Sequence, residues 1–463
     1  MSDKPRVSKF VGKSKITNNS LGNGEVSNTN LPSENSEISD NQLKKDGIST
    51  TNEGLGDALS TSLVKSKIKI GTRRRTGRPA VSNAIPDSIL QNAELTEAIN
   101  ALLPKNYNFE IYKTVWQIQK LGVKRVALQF PEGLLMYSLI ISDILEKFCS
   151  VEIVVMGDVT YGACCIDDYS AVALGCDFMV HYGHSCLVPV SVTLIKTMYV
   201  FVEIGINLNK LTETIRFNFS NEKRIALVGV VQFLANMHQL QKELKDEYDI
   251  YIPQIKPLSP GEILGCTSPK LLGDENDTMI LFIGDGRFHL ESILISNPNI
   301  NAFAYDPYSN KITREKYNHE EMFSVRQSAI AKAKKAKTYG LILGTLGRQG
   351  SNAVLDDLAD KLEKAGKEYV VVLLSEIFPA KLKQFEDIDC WIQISCPRLS
   401  IDWGYAFEKP LLSPYEAAVA LEALEWQAVY PMDFYANESM GSFTPNHKTI
   451  PESLSSKVIK SNV

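Results

Sequence analysis

The chain lacks any uninterrupted apolar run near the roughly 18 residues that a membrane helix needs. Its opening, MSDKPRVSKF, has no apolar segment of the signal-peptide kind. Neither a membrane span nor secretion is expected, and the reading is a cytoplasmic protein. A surplus of positive charge is also missing. With 49 Lys and Arg against 54 Asp and Glu the net charge is −5, so a phosphate-binding surface and direct nucleic-acid binding are not expected. The glycine signatures of nucleotide sites are absent as well: no G-x-G-x-x-G occurs, and LGTLGRQG lacks the Lys-Ser/Thr of a P-loop. Eight cysteines in 463 residues are too sparse for a disulfide scaffold and read as thiols or metal ligands.

What the chain does have is length and alternation. Its 463 residues, 44% of them hydrophobic, suit about three domains of roughly 150 residues. Residues 1–84 are polar, with Phe10 their only aromatic, and are expected to be a disordered arm. The arm contains a basic run, Lys65, Lys67, Lys69, Arg73, Arg74, Arg75 and Arg78, which reads as a solvated linker, an address signal or a contact for a ribosome-associated partner. Residues 437–463 are expected to be a flexible tail. Between the two, one unit recurs three times. RVALQF (125–130), EIVVMGDV (152–159) and DFMVHYG (177–183) form the first set of strand-like runs. RIALVGVV (224–231), YIPQIKPL (251–258), TMILFIGD (278–285) and NAFAYDP (301–307) form the second. YGLILGTLG (339–347), YVVVLLSEI and DCWIQIS form the third, with amphipathic helical segments between strands in each unit. Continuous apolar strands alternating with helices predict an α/β fold of three pseudo-repeated, doubly wound parallel-sheet domains, at 85–210, 211–320 and 321–436.

Ligands of open parallel sheets gather beyond the carboxyl ends of the strands. Cys164, Cys266 and Cys396, 102 and 130 residues apart, each follow a strand-like run, so only the fold can unite them at one shared site. Three thiolates on an iron-sulfur cluster leave one iron without a protein ligand, the open position a catalytic metal centre needs. Cys165 leaves an ambiguity, because only one of two adjacent side chains easily reaches a common centre. Cys186 is a weaker candidate. Cys149, Cys176 and Cys390 read as structural, and His181 and His184 as hydrogen-bonded structure.

The segments GDVTYGACCIDD (157–168), HYGHSCLVP (181–189), PGEILGCT (260–267) and CPRLSIDWG (396–404) together resemble the first-subunit family of eukaryotic 2-(3-amino-3-carboxypropyl)histidine synthases. The resemblance runs from about Val81 to about Gly441. It implies a four-iron, four-sulfur cluster on Cys164, Cys266 and Cys396, with S-adenosylmethionine on the fourth iron. It also implies radical transfer of the 3-amino-3-carboxypropyl group to a histidine of translation elongation factor 2, the first step of diphthamide biosynthesis. The implied partners are a related second subunit forming a heterodimer, a small iron-bearing electron donor, and the elongation factor as protein substrate. The C-x3-C-x2-C loop of ordinary radical enzymes of this cofactor class is absent.

The carboxylate of such a substrate calls for cations or helix N-terminal N–H groups. Candidates are Pro131, Glu132 and Gly133 after the first strand, Asp285, Gly286 and Arg287 in GDGRFHLE, Arg348, Gln349 and Gly350 in TLGRQGS, and Arg398 beside Cys396. Each arginine also reads as an ordinary ion-pair partner. Two other functions fit the same pattern: a dehydratase of the quinolinate-synthase kind, also built on three cysteines and three α/β repeats, and a non-catalytic subunit whose cluster relays electrons.

Overall fold

In the computed structural model the residues described are Ala84–Lys448, apart from Val159, Asp274 and Glu275. The arm with its basic run and the end of the chain lie outside them. The long apolar runs form three sheets. The first comprises β1 (Arg125–Gln129), β2 (Glu152–Val155), β3 (Phe178–Tyr182) and β4 (Lys196–Val200), in the spatial order β2-β1-β3-β4 and parallel throughout. The second holds β5 (Arg224–Gly229), β6 (Ile250–Tyr251), β7 (Thr278–Ile283), β8 (Asn301–Asp306) and β9 (Lys311–Glu315), in the order β6-β5-β7-β8-β9. There β9 turns back antiparallel on β8. In the third, β10 (Thr338–Gly344), β11 (Glu368–Leu374), β12 (Cys390–Ile394) and β13 (Leu411–Leu412) run parallel in the order β11-β10-β12-β13. Each sheet thus begins with the same order, second strand, first, third, fourth.

Alternate residues of the central strands serve opposite faces. In the second sheet Ile225, Leu227, Met279 and Leu281 pack into one apolar cluster, while Ala226, Val228, Ile280 and Phe282 pack into another. The first sheet divides Val126 and Leu128 from Ala127 and Met179 in the same way, and the third divides Leu341 and Ile392 from Ile342 and Trp391. Coverage of both faces explains why these strands read as unbroken apolar runs. The helices follow amphipathic spacing: helix Asn352–Lys364 buries Val354, Leu358 and Leu362 and starts at Ser351, whose side chain accepts from the Val354 N–H.

The structure departs from the sequence reading in three places. YIPQIKPL gives a strand only at Ile250–Tyr251, since Pro253 and Pro257 have no N–H for a ladder; the freed segment becomes the long loop that carries Cys266. The fourth strands Lys196–Val200 and Leu411–Leu412 escaped the repeat pattern, the second for want of length. Finally, the first part of the stretch expected to be a flexible tail packs on the core, with Phe443 and Thr444 buried and the Ser442 hydroxyl donating to Asp357 at 2.6 Å; residues 449–463 lie outside the described residues. Among the described residues no helix is long and apolar enough to cross a membrane.

The candidate metal centre

The three cysteines lie beyond carboxyl strand ends of the three sheets. Cys164 sits in a short turn, Ala163–Cys165, after β2. Cys266 lies in the loop between β6 and β7, and Cys396 directly precedes helix Pro397–Trp403 after β12. Their thiols are close enough to act on one another electrostatically. The Cys164 thiol is raised well above its ordinary range by its hydrogen bond to Cys165, by burial, and by the charges of Cys165, Cys396 and Cys266. Burial first and Cys396 second push Cys266 up to about 12. Burial pushes Cys396 to about 11, opposed by the backbone N–H and charge of Arg398. By surface area Cys164 and Cys396 keep some solvent access; it is the protein packed around their sulfurs that desolvates them.

Cys165 is engaged differently. Its sulfur accepts a hydrogen bond from Gln349 Nε2 at 3.2 Å, and Gln349 Oε1 in turn accepts from the Ser395 hydroxyl at 2.7 Å. The bond with Cys164 lowers the Cys165 thiol while raising that of its neighbour. One residue that follows the third sheet, Tyr435, is new to the site. Tyr435 is buried with its phenol raised well above the ordinary range, by burial first, then by the charges of Cys164 and Cys266 and a hydrogen bond to Cys164. It is brought there by a strap: Phe434 N–H donates to the Cys266 carbonyl at 3.3 Å, and Tyr435 N–H to the Thr267 hydroxyl at 3.0 Å.

The candidate arginines have their donors taken by protein acceptors. Arg398, 2% exposed, donates to Asp402 at 2.9 Å, to the carbonyls of Gly265 at 3.0 Å and Phe288 at 2.7 Å, and to Glu291 at 2.5 Å. Arg348 grips Asp168 through two bonds of 2.8 and 2.6 Å and also reaches the Val192 carbonyl. Arg287 pairs with Glu291 and Glu315 and reaches the Lys316 carbonyl. Arg348 and Arg398 therefore tie loops of different sheets together, whereas Arg287 points into the second sheet's own elements. Gly286 precedes helix Arg287–Ser296, with Asp285 exposed before it. Gly350 packs so tightly that a Cβ there would overlap the Gly344 carbonyl. Pro131 opens helix Glu132–Leu135, which includes Gly133, and Pro131 lies against Gly183, the residue before His184.

The donor set tests which metal group fits. Among the described residues no three His, Cys, Asp or Glu side chains close on a single ion. Three mutually interacting thiols that do not converge on one point match a polynuclear cluster, in which each thiolate binds a different iron. Their raised proton affinity has the same sense: burial outweighs the one cation acting on Cys266 and Cys396, Arg398, and iron would supply the remaining positive charge. The residues present fit an iron-sulfur cluster. Neighbouring histidines add no charge: burial and His289 hold His184 down to about 4, and burial and Arg398 hold His289 at about 4.

Similarity to known proteins points the same way. Residues 130–431 match the family model for putative diphthamide synthesis protein. A Dictyostelium discoideum protein, 2-(3-amino-3-carboxypropyl)histidine synthase subunit 1, is 57% identical over 381 residues, 81% of this chain and 80% of its own length. Its human counterpart of the same name is 54% identical, covering 81% of this chain and 85% of that one. Among solved structures, Dph2 from Pyrococcus horikoshii with 4Fe-4S cluster superposes with a TM-score of 0.60 at 26% identity, over 74% of this chain and 99% of that one. Family model, relatives and fold agree, and the chain belongs to the diphthamide synthesis family alongside the subunit 1 histidine synthases.

Proposed function

We propose that this chain transfers the 3-amino-3-carboxypropyl group of S-adenosylmethionine to a histidine of translation elongation factor 2, with a four-iron, four-sulfur cluster held by Cys164, Cys266 and Cys396. The observation that carries the reading is the meeting of three buried thiols from three sheets, 102 and 130 residues apart in sequence. When bound and reduced, the cluster supplies one electron to the substrate's sulfonium, which breaks a carbon–sulfur bond. The chain's own residues prepare that site. Arg398 sets a positive charge beside Cys266 and Cys396. Gln349, itself held by the Ser395 hydroxyl, donates to the Cys165 sulfur, and we assign Cys164 as the ligand of the adjacent pair. His184 and His289, uncharged at neutral pH, place no like charge against a cationic substrate. The relatives' names as subunit 1 support a related second subunit as partner, and reduction calls for a separate electron donor.

Anaerobically prepared protein is expected to carry about four irons per chain and, with reductant and S-adenosylmethionine, to yield methylthioadenosine. Replacing any of Cys164, Cys266 or Cys396 with Ala should remove most of the charge-transfer absorbance and the product. Full iron retention in all three single variants would overturn the ligand assignment. Iron without methylthioadenosine would favour the electron-relay reading.

A further inference from the structure

Buried polar atoms in folded proteins almost always have partners, so an orphan calls for an explanation such as a ligand. Among the described residues, Thr160 Oγ1, His184 Nδ1, Ser185 Oγ and Glu262 Oε1 are buried without one, and all four sit on loops beyond the carboxyl strand ends of the first two sheets. Glu262 stands apart because it is a carboxylate. It is 2% exposed, and its Oε2 accepts from the Ser259 N–H at 3.0 Å, but Oε1 has no donor. Burial raises its proton affinity, opposed by the Ser185 hydroxyl, which lies near it without a formed hydrogen bond, and by Ser259; no arginine, lysine or histidine among the described residues forms an ion pair with it. This contrasts with Glu291 and Asp168, the other buried carboxylates around the site, which both face guanidinium groups. A buried carboxylate oxygen with no cation is unfavourable unless a cation arrives.

The position of Glu262 says which cation. Leu187, two residues after Ser185, packs with Cys266, four residues after Glu262, and with Cys164 in one apolar cluster. Glu262 thus shares the loop of Cys266, four residues before it, and the Ser185 hydroxyl that acts on it lies two residues from Leu187 of that cluster. If the proposed function holds, the substrate there bears two cations, a sulfonium with no N–H and an α-ammonium with three donors. Only the ammonium can satisfy a carboxylate oxygen and a serine hydroxyl by hydrogen bonds. We infer that Glu262, with Ser185 beside it, receives the α-ammonium of S-adenosylmethionine and so fixes the aminocarboxypropyl arm against the centre. The residue is a binding and specificity determinant.

The test is calorimetric binding to the anaerobic, cluster-loaded full-length chain, with two probes: S-adenosylmethionine and the analogue in which hydrogen replaces its α-amino group. In Glu262→Gln, affinity for S-adenosylmethionine should fall about tenfold to a hundredfold, as for loss of a charge-assisted hydrogen bond. The deaminated analogue should bind variant and native protein alike, and iron content should not change. If Glu262→Gln does not fold, Ser185→Ala gives the same comparison with a smaller loss, again confined to S-adenosylmethionine. Equal binding of S-adenosylmethionine to native and variant protein, or an equal loss for both probes, overturns the inference and leaves the proposed function standing. Failure of the native protein to bind either probe overturns both.

Discussion

The seats of Cys164 and Cys266 are built from opposite materials. Cys164 is held from the third sheet by main chain and an ion pair whose arginine is partly exposed. Arg348 N–H donates to the Cys164 carbonyl at 2.9 Å, and the Arg348 side chain, 18% exposed, grips Asp168 from the rim. Gly347 adopts φ +56°, and a Cβ there would lie 2.5 Å from the Cys165 carbonyl carbon. Cys266 is held instead by buried charge. Arg398 lies between Glu291 and Asp402, carries the Gly265 carbonyl on the same guanidinium, and stacks its guanidinium 4.6 Å from the Phe288 ring centroid. Gly265 is in turn a glycine of necessity, because any Cβ would overlap that ring. Where the arginine is partly exposed, solvent can take part of its place; where the whole network is buried, removing the arginine leaves two carboxylates uncompensated.

The largest expected effect follows from that difference. Arg398→Ala strands Glu291 and Asp402, and a cost of about 3–5 kcal/mol is expected in chemical denaturation, with iron lost alongside. A cost near that of Arg348→Ala would erase the contrast. Gly347→Ala comes next: overlap with the Cys165 backbone and a left-handed φ should cost about 1–3 kcal/mol, read as iron loss from a chain whose circular dichroism is unchanged.

Arg348→Ala should cost less, about 1–2 kcal/mol, because the Arg348 end of the pair is partly exposed and Asp168, although itself buried, keeps its bond from the Leu194 N–H. Its signature is in pH. Burial tends to raise Asp168, but the bonds and charge of Arg348 and the Leu194 N–H outweigh it and leave the carboxyl below its usual range. A depressed carboxyl stabilises the fold above the unfolded value, about 3.9, and that contribution fades as pH falls through the lower folded value. Native protein should lose this increment only below about pH 4, and the variant should lack that part of the acid dependence. The smallest effect is expected from Cys390→Ala. Its thiol lies in the core cluster of the third sheet, away from both seats, so it should cost on the order of 1 kcal/mol and leave iron content intact; iron loss here would mean that the third cysteine had been misassigned.

Much of the architecture was readable because it is periodic. Ile225 and Leu227 differ from Ala226 and Val228 only in parity, and that parity is visible in the chain before any sheet is formed. Cys164, Cys266 and Cys396 stood out for the same reason, each falling just past an apolar run. The edges were less legible: Leu411–Leu412 is too short to show a period, and the segment around Phe443 looks polar although Phe443 and Thr444 are buried.

The sequence alone determined three alternating α/β units, with a thiol beyond a strand end of each. Only the tertiary structure decided how those ends are furnished. Arg398 meets Glu291 across 107 residues and Gly265 across 133, and Arg348 meets Asp168 across 180. It also set Gln349 against Cys165, brought Tyr435 to Cys164, and left Glu262 with an open oxygen. Burial patterns are encoded locally, because strand and helix periods act within a few residues. Partner choice between polar side chains depends on which loops the packed sheets bring face to face, and no local period records that.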